Sequence, residues 1–156
     1  MASFFSGQHG QLFIKTSSTA TTWTKCAKVR SWSLNSNNAT LDTTTLEDTD
    51  RTIINGIRST SGSCSLFYYQ EGTANSAAIL LNQIIKERTT GTEPGQAAEQ
   101  TPMMMRLKVD TGVGTVGKYI DLEVYITSAS MSMAVSEVLA ADISFEVNGA
   151  PVDVVL

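Results

Sequence analysis

The residues able to do chemistry are few, and their spacing suits no familiar reaction. His9 is the only histidine, and it stands between Gly7 and Gly10. A Ser-His-Asp or Cys-His relay would have to be built on that Gly/Gln-rich segment, so His9 reads as a solvated arm residue. Cys26 and Cys64 are the only cysteines, too few soft ligands for a zinc site within one chain. Both stand in strand-like stretches and read as buried thiols more readily than as a disulfide. Asp42, Glu47, Asp48 and Asp50 cluster, but their spacing and the lack of a glycine at the turn position do not match a calcium-binding EF-hand loop. Solvated or interface carboxylates fit them better. The run Asp110 to Gly117 is glycine-rich, yet it lies between two strand patterns with no helix after it, so it cannot present a phosphate to a helix N-terminus. It reads as a hairpin loop. Asp110-Thr111-Gly112 matches the aspartic protease triplet, but a single copy in a chain this short needs a homodimer and a flap. Asn38-Ala39-Thr40 is a formal glycosylation acceptor without a secretory signal to give it meaning. Trp23, Trp32, Phe67, Tyr68 and Tyr69 lack the interleaved basic residues of a single-strand stacking platform and read as core and interface aromatics. No nucleophile, acid–base pair, metal site or cofactor site can be named, and the expectation is a non-enzymatic chain.

Composition narrows the class further. With 156 residues the chain is sized for one domain. Charged residues are only 17% of the chain while apolar ones are 42%, a balance expected when part of the surface is covered by other subunits. Eleven basic residues against 15 acidic ones give a net charge of -4, which repels a polyanion weakly and argues against electrostatic attachment to nucleic acid. The segment Met1 to Gly7 has neither a basic nor an apolar signal region, and no stretch approaches about 18 uninterrupted apolar residues. The expectation is a protein kept in the cytoplasm of the cell that makes it, with no membrane span.

The elements that must carry these residues are mostly strands. Met103, Met105, Leu107 and Val109 alternate with Met104, Arg106 and Lys108; Ile120, Leu122, Val124 and Ile126 alternate with Tyr119, Asp121, Glu123, Tyr125 and Thr127; Ala141, Ile143, Phe145 and Val147 alternate with Asp142, Ser144 and Glu146. Period-two alternation of this kind marks a strand with one buried face. Met131, Met133 and Val135 alternate with Ser130, Ser132 and Ala134, so a turn is expected at Ser128 to Ser130, giving an antiparallel run over 103–147. Gln11 to Thr16, Lys25 to Leu34 and Ser63 to Gln70 read as further strands.

One helix is expected over residues 74–88, with the apolar set Ala77, Leu80, Leu81, Ile84 and Ile85 at helical spacing, Thr73 as cap, and Lys86 and Arg88 at the negative end of the dipole. Residues 1–22 read as an N-terminal arm. Asn35 to Ser61 and Thr89 to Thr101 read as long loops, the first polar but carrying Leu41, Leu46, Ile53, Ile54 and Ile57, which suggests burial against a neighbouring molecule.

Two passages resemble a known family. Lys28-Val29-Arg30-Ser31-Trp32-Ser33-Leu34, continuing to Leu41-Asp42-Thr43-Thr44-Thr45-Leu46-Glu47-Asp48-Thr49-Asp50-Arg51 and Gly56-Ile57-Arg58-Ser59, is similar to the polar Asp-Thr-rich stacking loop of tail tube proteins of long-tailed bacteriophages. Ser136 to Pro151 resembles the final strand of that family with its Asn-Gly-Ala-Pro turn. The resemblance covers most of the chain from Lys25 onward. It implies a mainly β fold, a small antiparallel sandwich or open barrel with one flanking helix, whose copies form six-membered rings stacked head to tail as the DNA-conducting tube of a virion, assembled in the host cytoplasm. Implied partners are further copies of the chain, a tail terminator, tail-tip or baseplate proteins, a tape-measure protein and, in contractile tails, a sheath; double-stranded DNA passes without specific binding.

Geometry explains why assembly would be needed. A barrel of about eight strands is filled by its own side chains. Six copies giving about four strands each, ~4.8 Å apart and tilted by ~40°, would close a barrel roughly 48 Å across, leaving a lumen wider than a duplex of about 20 Å. On this reading Asp121, Glu123, Thr127, Ser130 and Ser132 are the lumen-facing candidates. Asp42, Thr44, Asp48, Asp50, Arg51 and Arg58 are the candidates for contacts between rings or subunits. The rival readings are another ring-forming structural protein, such as a secretion-system tube or head-decoration protein, and a ligand-binding β-barrel with an enclosed apolar pocket.

Overall fold

The alternating segments form strands that share one buried side. The computed structural model describes residues 10–15, 19–26, 28–68, 76–85, 101–109 and 117–156. In β1 (Gln11–Lys15) Leu12 and Ile14 are buried, and β2 (Thr24–Lys25) pairs with it. β3 (Val29–Asp42) and β4 (Ile53–Phe67) make one long hairpin. After a short helix α1 (Ser76–Leu81) come β5 (Met103–Lys108), β6 (Tyr119–Ser132), β7 (Ala140–Val147) and β8 (Asp153–Val155). All pairings are antiparallel, and the strands join in the order β2-β1-β5-β6-β7-β4-β3, with β8 pairing β6.

One core serves the whole sheet. Leu12, Ile14, Leu66, Met103, Met105, Leu107, Leu122, Val124, Ile143 and Phe145 are almost completely buried, and α1 adds Ala77, Leu80 and Leu81. Each such large side chain removed from water contributes about 1.5–3 kcal/mol. The sheet curls so that β1 and β3, far apart in strand order, approach each other across the core. Cys26 and Cys64 are buried in it as thiols, not joined in a disulfide. Burial, helped by the neighbouring Cys26, pushes the Cys64 thiol up to about 12, so it stays protonated and unreactive at neutral pH. Gly62 is required by space: a Cβ there would lie 2.5 Å from the Phe145 ring.

Four expectations are corrected. Residues 35–61 are not a long loop: all but 43–52 lie in β3 and β4. Side-chain hydrogen bonds between Ser33 and Ser63, Ser36 and Thr60, Asn38 and Asn55, and Thr43 and Thr52 stitch a polar hairpin together, and cross-strand pairs of this sort hold a sheet without any apolar alternation to announce it. No turn interrupts residues 128–130. β6 runs through them to Ser132, with a register shift between Ile126 and Ser128. A bulge moves the apolar phase from Ile126 to Ala129 and Met131, and that phase change imitates a turn. The helix is shorter than 74–88: it ends at Leu81, where Gln83 and Ile84 donate to carbonyls three residues back, and Ile84 and Ile85 are exposed. Residues 1–22 are not all arm, since β1 is part of the core sheet. His9, Thr73, Lys86, Arg88 and the 110–116 stretch lie outside the described residues.

Candidate assembly surfaces

Strands β3, β4, β7 and the second half of β6 form a continuous four-strand unit whose face away from the core is paved with hydroxyls. The register aligns Ser33 with Ser63, Ser63 with Ser144, and Ser144 with Ser128. The next row aligns Ser31, Ser65, Asp142 and Ser130, and the row on the other side Asn35, Ser61, Glu146 and Tyr125. Period two requires this outcome, because on the opposite face the same strands carry Trp32, Cys64, Ile143 and Ala129. Asp142 and Glu146 are the exposed carboxylates of the polar face.

Among the described residues, both edges of this unit have an unpaired stretch. β3 ends the strand order, so its outer edge has no partner among the described residues. β5 pairs β6 only from Tyr119 to Val124, which leaves Thr127 to Ser132 with β7 on one side and nothing described on the other. Open, long edges of this kind are templates for another strand.

The lumen candidates divide between two regions. Ser130 and Ser132 lie exposed on the hydroxyl face, and Thr127 is the exposed residue of the bulge. Asp121 is different: it is 6% exposed and receives both a 2.6 Å bond from Arg106 Nε and a 2.7 Å bond from Arg106 Nη2. Arg106 also lies over the rings of Trp23, at 4.4 Å, and Tyr119, at 4.2 Å. The Asp121 carboxylate is thus neutralised within the β5–β6 part of the sheet. Glu123 Oε1 accepts a 2.6 Å bond from Asn148 Nδ2. Sequence reasoning missed Asp142, Glu146 and the serine rows. Their alternation was visible in β7, but their alignment with β3 and β4 depends on pairing register, which one strand's sequence does not contain.

The contact candidates gather on the β3–β4 arm. Beyond the last β4–β7 pair, Ser61 with Glu146, residues 53–60 of β4 continue with only β3 beside them, which at ~3.3 Å per residue projects the arm about 26 Å. Its tip is ordered by its own side chains. Asp42 Oδ1 accepts from the Thr44 amide at 2.9 Å, Arg51 Nε donates to Asp42 Oδ2 at 3.1 Å, and the Thr45 amide donates to Asp48 Oδ2 at 2.7 Å. The bonds from Thr44, ahead of that from Arg51, hold the Asp42 carboxyl below its ordinary range. Glu47 and Asp50 make no ion pair among the described residues. Arg58 lies away from the tip, in an open groove of about 350 Å³ shared with Ile57, Thr60 and Glu146. The arm also exposes Leu41, Leu46, Ile53, Ile54 and Ile57.

No protein-family description matches the chain, and no curated protein matches it. Solved structures do. A chain in the tail of an empty gene transfer agent particle, determined with C6 symmetry, is 16% identical with a TM-score of 0.66 over 97% of this chain and 98% of its own length. A chain of the SPP1 tail tube is 14% identical with a TM-score of 0.69, covering 93% of this chain and 76% of its own. A chain from the baseplate of the anti-feeding prophage is 7% identical with a TM-score of 0.63, covering 95% and 94% respectively. The chain has the fold these subunits share.

Proposed function

We propose that this chain is the repeating structural subunit of a phage-type tail tube, without catalytic activity, that assembles into stacked six-membered rings around a DNA-conducting channel. The observation that carries the reading is the four-strand unit with one hydroxyl face and, among the described residues, an unpaired stretch on each edge, β3 and Thr127–Ser132. Pairing the β3 edge of one copy with the Thr127–Ser132 edge of the next satisfies both edges. Six repeats of four strands give the barrel of roughly 48 Å expected from strand spacing and tilt. The hydroxyl face then lines the bore and the core face packs outward against β1, β5 and α1. The shared fold with a C6-symmetric tail and a tail tube supports the six-fold ring.

The bore suits passage of DNA. Serine hydroxyls keep the wall hydrated, and Asp142 and Glu146 repel phosphates, so no counterion-release attachment forms. Asp121, bound by Arg106, contributes no free charge to this wall. Tail terminator, tip or baseplate, tape-measure and, in a contractile tail, sheath proteins are the partners such a tube requires, and the finished tube resides in the virion. The baseplate likeness favours a second reading, a subunit of single rings. Electron micrographs of the purified full chain separate the outcomes: hollow tubes are expected, isolated rings favour the second reading, and a discrete monomer at high concentration overturns both.

A further inference from the structure

The two ends of the sheet differ in charge. The arm tip, residues 42–51, carries Asp42, Glu47, Asp48 and Asp50 against Arg51, and it exposes Leu46 fully. At the opposite end, the Phe67 amide donates to the Lys28 carbonyl at 3.0 Å and the Tyr68 amide to the Leu139 carbonyl at 2.9 Å. These bonds bring the start of β3 and the 133–139 turn to the same end of β4. Among the described residues that end is basic and apolar: Lys28 and Arg30 are exposed, and the turn displays Met133, Val135 and Val138, with Val135 97% exposed. Glu137 is the only carboxylate within the turn. Lys28 is held in a left-handed conformation, φ 59°, within the turn that enters β3.

We propose that the acidic, aliphatic arm tip of one copy docks on the basic, aliphatic end of a second copy, with Glu47 and Asp50 facing Lys28 and Arg30, and Leu46 seated on Met133, Val135 and Val138. Charge complementarity selects the occupant, since an arm tip approaching another arm tip would oppose carboxylates to carboxylates. The contact is heterologous, joining unlike patches on identical chains, and association of that type propagates instead of closing. Apolar side chains this exposed at both ends are also expected to find a cover. The inference rests on the tube reading and adds the identity of the surface that receives the arm.

A charge swap tests it. The variant Glu47→Lys/Asp50→Lys should raise the protein concentration needed for tube growth by at least about tenfold, and Lys28→Glu/Arg30→Glu should do the same, each reversing two pairs. Combining all four substitutions should bring the threshold back to within about threefold of the original, because the pairing is restored with opposite polarity. Met133→Asp/Val135→Asp, at exposed positions that do not endanger folding, should leave rings that do not stack. Sedimentation and electron microscopy read all four proteins beside the unsubstituted chain. Charge reversals without effect, or a quadruple variant no better than the doubles, overturn the docking while the unsubstituted chain still forms tubes. If the unsubstituted chain forms no tubes, the tube reading fails, and the docking fails with it.

Discussion

Among the described residues, side chains with several polar contacts tie strands together. Arg106 is the main case. Its guanidinium grips Asp121 with two bonds and lies over Trp23 and Tyr119, so one residue ties β5 and β6 to the segment before β2. Asp121 raises the Arg106 pKa further above its ordinary value, chiefly through that hydrogen bonding. Because Asp121 is buried, removing only its partner leaves an uncompensated charge, whereas removing both does not. Arg106→Met is therefore expected to destabilise the fold by about 3 kcal/mol, and Arg106→Met/Asp121→Leu by clearly less. Chemical denaturation of the three proteins measures this, and equal losses in the single and double variants would show that the pairing has no special weight. None of this was legible from residue types alone: Asp121 alternates with core residues as any outward carboxylate would, and only the register Arg106 with Asp121 reveals the partner.

At the scale of elements, legibility followed contact with the core. β5, β7 and the first half of β6 each have one face in the core, so their alternation located them within a residue or two. The β3–β4 arm has no core beneath its outer part, and its two faces carry Asn, Ser and Thr alike, so its strand character resides in cross-strand bonds invisible to periodicity. The bulge at Thr127 misled for a related reason, since it inverts which side of β6 is apolar. The hydroxyl face was half legible: the alternation singles out Ser130 and Ser132, while aligning Asp142 and Glu146 with them needed the sheet order. The arm also offers a clean intervention. Asp42 pairs with Ile53, so replacing residues 43–52 with Asn-Gly closes the hairpin by a two-residue turn that suits its twist. Secondary structure by circular dichroism should be unchanged, and tubes should be replaced by rings or very short stacks. Tubes of ordinary length after that replacement would exclude the tip from stacking.

For the whole molecule, the decisive property is a sheet that is complete toward its core and, among the described residues, unpaired along parts of its edges. On the proposed tube, charge on the wall of the bore is a variable that can be changed without touching the core. In particles built from Asp142→Lys/Glu146→Lys subunits, both positions being exposed, tubes should form normally. DNA exit should slow and become strongly dependent on salt, because lysines lining the bore would hold phosphates by counterion release. Ejection followed by dye uptake measures this, and kinetics identical to the parent would remove these residues from the bore. The same sheet also has two dissimilar ends, acidic at the arm tip and basic beside Lys28. A column of such subunits has a direction. On the proposed docking, whatever starts the column and whatever stops it would be different proteins with opposite surface chemistry, one presenting carboxylates and the other ammonium or guanidinium groups, and neither would substitute for the other at the wrong terminus.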